Sequence, residues 1–409
     1  MFYLEFLNSV SLNFYILFAS TFLLFSILVG VKVLLGPTLL SAISFLSSVS
    51  LALIYANPYD SFILLLSLFC FLLISYYFSR TITNFRCHAN DIEEKIYSNL
   101  SLKKNRRDKT VVLFFCVLFL LVNTHIYMLF SESGRVNKLT WTVSAGALPY
   151  IYEALLMISI CCFLHCLERR FFLFCFLIFI LIGFSGLVFG SKGVLINIFI
   201  VYLLYRTRFN ISYRFVILLA PLSIVFLFIL SIVFFGSGVA GFLALFSRIM
   251  ATLDGTFSIF FDGLYESFYL DKTVLIYYFD VFYSRFYGVQ ESLGQIIANH
   301  SRFYYPEFGG PNDSVVNYLL LSTGFNKLIA IATVCVLAFF SGFLDVYLRS
   351  RRANYISLKN KIAIYPLYFL LPALYQGVGT GILLFARVYV IIIPLYLCWF
   401  FIGKMYGKK

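Results

Sequence analysis

The sequence predicts an all-α polytopic membrane protein, on three observations. Of its 409 residues 62% are hydrophobic and 12% charged, with a mean hydropathy of +0.94. A soluble domain is about a quarter charged. The apolar residues form continuous runs near the roughly 20 residues that a spanning helix needs, not the alternation of barrel strands. The 31 Lys and Arg residues lie mainly between those runs. Together these exclude a soluble enzyme, a disordered chain and, despite the net charge of +13, a nucleic-acid-binding domain.

The apolar runs predict spans near residues 11–31, 37–55, 61–79, 110–130, 143–166, 171–190, 193–205, 215–235, 326–348, 362–378 and 383–403. That is about 11 helices, within a range of about 10–12, in a single membrane domain over 1–409. Lys32, the 80–109 segment, Arg169–Arg170, 206–214, 349–361 and 404–409 hold 22 of the 31 basic residues. Eleven spans place all of these on one side, which the positive-inside rule makes cytoplasmic. The run Lys103-Lys104-Asn105-Arg106-Arg107 in the basic 80–109 loop is then a topology anchor.

The longest loop, 236–325, falls on the opposite side. Its residues 238–250 read as an amphipathic or re-entrant helix, and 257–287 are dense in Phe and Tyr. Such apolar content favours helices lying along the membrane over a solvated loop. The aromatic run suits either stacking on sugar rings or an interfacial belt at headgroup depth. Asp262 and Glu266 are spaced to share a helix face. None of the nine cysteines lies in this loop, and no disulfide is expected. Cys161-Cys162-x-x-His165-Cys166 matches no common zinc spacing, so no metal site is read there.

Candidate chemistry gathers on the loop side. Lys192, in Gly190-Ser191-Lys192-Gly193, ends the sixth span between glycines that permit close backbone approach. Arg248, Arg285 and Arg302 lie in the loop, and Arg387 just inside the last span. Spaced arginines suit a polyanion, because each guanidinium can donate two parallel hydrogen bonds to phosphate oxygens. Glu153, inside the fifth span, is either a structural partner for Arg387 or a functional acid. His300, Glu291 and Asp313 are the candidate proton acceptors, and the sequence leaves the choice among them open. There is no nucleotide-binding motif.

Two segments carry a resemblance. Gly190-Ser191-Lys192-Gly193 resembles the G-S-[RK]-G element of Wzy-type O-antigen polymerases. The stretch Gly309-Gly310-Pro311-Asn312-Asp313-Ser314-Val315-Val316-Asn317-Tyr318-Leu319, with Ser322-Thr323-Gly324, is similar to the segment that closes their large periplasmic loop. O-antigen ligases carry a His-Asn pair where this chain has Pro311-Asn312. The motifs cover about twenty residues, and the topology resembles the family over the whole chain.

The resemblance implies a GT-C-like fold in the bacterial inner membrane, with the active site facing the periplasm. It implies a metal-independent glycosyltransferase that needs no cofactor and moves a growing glycan from undecaprenyl pyrophosphate to a new lipid-linked repeat unit. The implied partners are those lipid-linked oligosaccharides, membrane lipids and a chain-length regulator protein. Lys192, Arg248, Arg285, Arg302 and Arg387, with Asn312 and Tyr318 of the loop-closing segment, form the expected substrate site. A ligase using the same chemistry and a lipid-linked oligosaccharide flippase are the alternatives.

The charge asymmetry makes a direct prediction. A reporter fused at residue 290 should be active only if it reports the periplasm, and activity of a cytoplasmic reporter there would reverse the orientation.

Overall fold

A computed structural model describes residues 12–29, 37–87, 106–132, 136, 145–189, 225, 253–280, 291–300, 313–349 and 358–406. The expected spans 193–205 and, apart from Val225, 215–235 lie outside the described residues, as does the expected helix 238–250.

The described residues are helical almost throughout, with a single isolated bridge between Ser131 and Val136. Long helices come first: α1 (Leu12–Val29), α2 (Pro37–Tyr55), α3 (Pro58–Cys87), α4 (Arg106–Phe130), α5 (Leu148–Glu168) and α6 (Phe172–Val188). Short helices follow: α7 (Asp254–Phe261), α8 (Leu264–Ser267), α9 (Val274–Tyr278), α10 (Leu293–His300) and α11 (Val315–Leu321). The chain then runs through α12 (Phe325–Arg349), α13 (Leu358–Ile364), α14 (Pro366–Gln376) and α15 (Val378–Tyr406). Six of these helices are long and apolar enough to cross a membrane, those within α1, α3, α4, α5, α12 and α15. The apolar part of α2 and the whole of α6 are shorter. This is an all-α membrane protein.

The predicted helix at 362–378 is two helices. Tyr365 separates α13 from α14, which opens on Pro366, because proline has no N–H to continue the ladder and disfavours helix in the residue before it. Asp262 and Glu266 do not share a helix. Gly263, at φ 78°, breaks the chain between α7 and α8 in a left-handed conformation that glycine adopts at little cost.

The chain divides into two compact units. The first comprises residues 1–81, 210–346 and 371–382. In it α7 and α11 both pack on α2, and α7 also packs on α10 and α11. Phe257 of α7 is buried with Leu253 against Phe14 of α1 and Leu51 of α2. Tyr277 and Tyr278 are also buried, whereas Tyr269 and Phe279 are exposed. Phe257, Tyr277 and Tyr278 of the aromatic run therefore pack as core, and Phe282, Tyr283, Phe286 and Tyr287 lie outside the described residues. The second unit comprises 82–209, 347–370 and 383–409, and its α4, α5 and α6 pack on one another with α13 against α5.

A polar clasp fixes the short helix α8 to the ends of two long ones. Asn57 caps α3 by accepting the Asp60 N–H at 2.8 Å. The Asp60 carboxylate pairs with Lys327, at the start of α12. It also accepts from Asn57 Nδ2 at 3.2 Å and from the Tyr265 hydroxyl of α8 at 2.7 Å. The Tyr265 oxygen in turn accepts the Asn57 N–H at 2.9 Å. Asp60 and Lys327 are buried, so removing either partner leaves an uncompensated charge. We expect Lys327→Met to destabilise the protein by about 3–5 kcal/mol, and Tyr265→Phe by about 1 kcal/mol. Thermal unfolding in detergent measures both, and equal midpoints for Lys327→Met and the unaltered chain would remove the clasp from the account.

Candidate functional site

The site is built where the segment before α11 meets the N-terminus of α15. Both lie in the first unit. Ser314 is extended, at φ −61° and ψ 155°, and occupies the N-cap position of α11. This leaves Asp313 just outside the helix. The Asp313 backbone carbonyl accepts the Val378 N–H at 3.2 Å. Its carboxylate accepts the Gly379 N–H at 3.3 Å and the Tyr318 hydroxyl at 3.0 Å. The unmatched N–H groups and partial positive charge of a helix N-terminus suit a carboxylate there.

Glycine makes this approach possible. A Cβ on Gly377 would sit 2.7 Å from Asp313 Oδ1, closer than real contacts allow. A Cβ on Gly379 would sit 3.2 Å from Asp313 Oδ2 and 3.3 Å from Asp280 Oδ1. Two carboxylates therefore converge on one glycine of the helix end. Asp280 and Asp313 are both buried. The Asp313 carboxyl is pushed up to about 7, chiefly by burial and further by the neighbouring Asp280 charge, against the Tyr318 and Gly379 hydrogen bonds that favour ionisation.

Tyr318 is fully buried and stands edge-on to the Tyr278 ring, with centroids 4.7 Å apart at 80°. Burial and the nearby Asp313 hold its hydroxyl well above the usual tyrosine range, so it stays a donor. Thr256 of α7 donates to Asn317 of α11 at 2.7 Å, and both are fully buried. The Leu270 N–H donates to the Leu321 carbonyl at 2.9 Å. These bonds fix α11, and with it Asp313, against the rest of the unit. The Ser314 hydroxyl is buried and makes no hydrogen bond among the described residues.

The other predicted site residues are placed as follows. His300 ends α10 with its side chain exposed, and its ring Nδ1 lies 2.9 Å from the Ile296 carbonyl of its own helix. Glu291 is also exposed and accepts from Asn299 Nδ2 at 3.2 Å. Both bonds are local, whereas Asp313 and Tyr318 bond each other in the interior. Arg387 lies in the second unit and pairs with Glu153, Nη1 to Oε1 at 3.2 Å, with its guanidinium 5.5 Å from the centre of the Tyr150 ring. Lys192, Arg248, Arg285, Arg302 and Asn312 lie outside the described residues. Asp280, one of many acids in the loop sequence, joins the site only through the fold. Among the described residues no group of three or more metal-ligating side chains is found.

Comparisons of the chain with protein families, with characterised proteins and with solved structures return no match. The chemistry of the site is therefore read from its own geometry. A buried carboxyl that titrates near neutrality, next to a second carboxyl and a fixed hydroxyl donor, can take up and return a proton at working pH.

This titration sets a stability prediction. The folded Asp313 carboxyl lies above its ordinary 3.8, so the folded state holds the proton more tightly than the unfolded state does. Its contribution is fully present below about 4 and is lost as pH rises toward 7. Asp313→Asn should flatten the fall in stability over that window, by at most roughly 4 kcal/mol at about 1.4 kcal/mol per pH unit. Unfolding midpoints from pH 4.5 to 8 check this, and an unchanged slope in the variant would contradict the placement.

Proposed function

We propose that this chain is a polysaccharide polymerase of the Wzy type, acting at the outer face of a bacterial inner membrane. The observation that carries the reading is the Asp313 site. It falls inside the segment that resembles the loop closure of that family, and its carboxyl is buried, paired with Asp280 and held near neutrality. The topology read from basic residues adds support, because it puts this segment and the candidate cations on the same side.

In this reading an acceptor hydroxyl of a lipid-linked repeat unit attacks the anomeric carbon of the growing chain. The bond from that carbon to the pyrophosphate oxygen breaks, and undecaprenyl pyrophosphate leaves. The attacking hydroxyl loses its proton to ionised Asp313. Burial, helped by the Asp280 charge, keeps the basicity of Asp313 high enough to accept it, while Tyr318 and the Gly379 N–H hold the carboxylate in place. Lys192, Arg248, Arg285, Arg302 and Arg387 are the proposed cations for the departing pyrophosphate, where negative charge develops. Glycosyl transfer of this kind needs no nucleotide, because the activated sugar already carries its leaving group, and the family resemblance implies no cofactor or metal. The partners are lipid-linked oligosaccharides and a chain-length regulator protein.

Lipopolysaccharide from a deletion strain tests the assignment. Complementation with Asp313→Asn should leave core carrying a single repeat unit, with long chains reduced about 10²- to 10⁴-fold, the range for loss of a general base. Asp313→Glu should restore part of the ladder. Loss of the single-unit band in the deletion strain would make the chain a ligase or flippase and overturn the reading.

A further inference from the structure

The first unit carries a set of buried polar side chains that the glycosyl-transfer step does not use. Thr38, Ser41, Ser44 and Ser48 recur every three or four residues along α2, and all are buried. Two of them meet α12. The Ser41 and Ser341 hydroxyls are 3.4 Å apart. One turn further along both helices, Thr38 donates to the buried Asp345 carboxylate through its N–H, at 3.2 Å, and through its hydroxyl. Asp345 lies four residues before Arg349, and Thr38 six after Lys32, so this end of both helices is at the basic face.

Two tyrosines lie between these pairs and Asp313. Tyr278, edge-on to Tyr318, puts its hydroxyl beside Thr333 of α12. The Tyr375 ring packs on Phe45 of α2 and Phe71 of α3, and its hydroxyl lies beside Ser341. Two residues on, Gly377 abuts Asp313. Thr333, Ser341 and Asp345 stand on one i+4 row of α12. At 1.5 Å per residue that row spans about 18 Å, more than half of the roughly 30 Å of a bilayer's hydrocarbon core. The hydroxyls of Tyr278, of Tyr375 and of Ser75, one turn along α3 from Phe71, are buried and make no hydrogen bond among the described residues. Close helix packing accounts for the small residues of α2. It does not account for buried hydroxyls left unbonded, which are costly unless water reaches them.

We propose that these hydroxyls, with water bound between them, form a proton path from Asp313 to Asp345, so that Asp313 exchanges protons with the basic face of the membrane. A hydroxyl donates one hydrogen bond while accepting others, so a row of them with water passes a proton along by exchanging donor and acceptor roles. The groups that face Asp313 are Asp280, the Tyr318 hydroxyl, the Gly379 N–H and Tyr278. Of these, Tyr278 leads on to α12 through Thr333, and Tyr375 and Ser341 continue toward Asp345. In the polymerase reading the proton leaves the acceptor hydroxyl for Asp313 and travels on to Asp345 and the basic face. The negative charge stays on the departing pyrophosphate, so one proton crosses for each linkage formed. That source of the proton rests on the polymerase reading, but the path and its direction do not.

Infrared difference spectroscopy of the full-length chain in proteoliposomes of known orientation tests this without any substrate. The signal is the protonated-carboxyl band that Asp313→Asn removes. A step in pH across 7, where this carboxyl titrates, is applied to one face at a time. The band should respond to the basic face at least about tenfold faster than to the other, and Tyr375→Phe and Ser341→Ala should each slow that response about tenfold, the scale of one hydrogen bond lost. Ser341→Thr keeps a hydroxyl and should restore the rate. Tyr375→Phe keeps the ring and removes a hydroxyl that bonds nothing among the described residues. It should leave the unfolding midpoint unchanged, so a merely structural tyrosine predicts no change in the rate either. An equal or faster response to the opposite face overturns the direction, and an unchanged rate in both Tyr375→Phe and Ser341→Ala overturns the path. A normal lipopolysaccharide ladder in the deletion strain would sink the polymerase reading while leaving these rates standing.

Discussion

The hydrogen bonds that Asp313 accepts from the N-terminus of α15 fix the geometry on which the functional reading depends. A carboxylate can sit that close to helix backbone only because residues 377 and 379 are glycines, whose missing side chains would otherwise occupy its place. A Cβ on Gly379 would also crowd Asp280 Oδ1, at 3.3 Å. One helix end thus gathers two acids in the interior, where burial and the neighbouring Asp280 charge raise the Asp313 carboxyl. The bond between Thr256 and Asn317 and the clasp around Asp60 hold the surrounding short helices in position. Rigid backbone around an ionisable group suits a site that must hand protons to and from a substrate hydroxyl.

Polar groups elsewhere in the described chain obey a related constraint. In an apolar setting each charge needs a partner, as Lys327 has in Asp60, Lys361 in Glu168, and Asp108 in His165. Asp345 accepts from both the N–H and the hydroxyl of Thr38. The pair of Arg387 and Glu153 leaves one buried polar atom of each side chain unmatched, as His165 leaves its Nδ1, among the described residues.

Much of the helical architecture was legible in the sequence, because a run of about twenty apolar residues has few other stable conformations in a membrane. The helices over 12–29, 58–87, 106–130, 148–168, 325–349 and 378–406 fall on predicted spans. The division of the 362–378 stretch was signalled by Pro366 but is hidden by average hydropathy. At the site, Asp313 and Tyr318 stand five residues apart in one recognisable segment and could be read together. Asp280 could not, since it is 33 positions from Asp313 and meets it only across a glycine of a third segment. His300 looked promising for its polar neighbours, but its ring faces the carbonyl of Ile296 at the end of its own helix. The aromatic run carried two readings at once because Phe and Tyr serve cores and membrane interfaces equally well, and the burial of Phe257, Tyr277 and Tyr278 decides for packing at those positions.

The central claim is that Asp313 accepts the proton of a sugar hydroxyl as a lipid pyrophosphate departs. Its most direct measurement uses the purified full-length chain in lipid nanodiscs with undecaprenyl-pyrophosphate-linked repeat units, following release of free undecaprenyl pyrophosphate and the length of the lipid-linked product from pH 5.5 to 8.5. The account predicts that products of two or more units appear with one pyrophosphate released per linkage. The rate should rise with pH through a midpoint near 7, as Asp313 ionises, and Asp313→Asn should lose both the rate and the midpoint. Absence of pyrophosphate release, or the same rate and pH profile in Asp313→Asn, would contradict it.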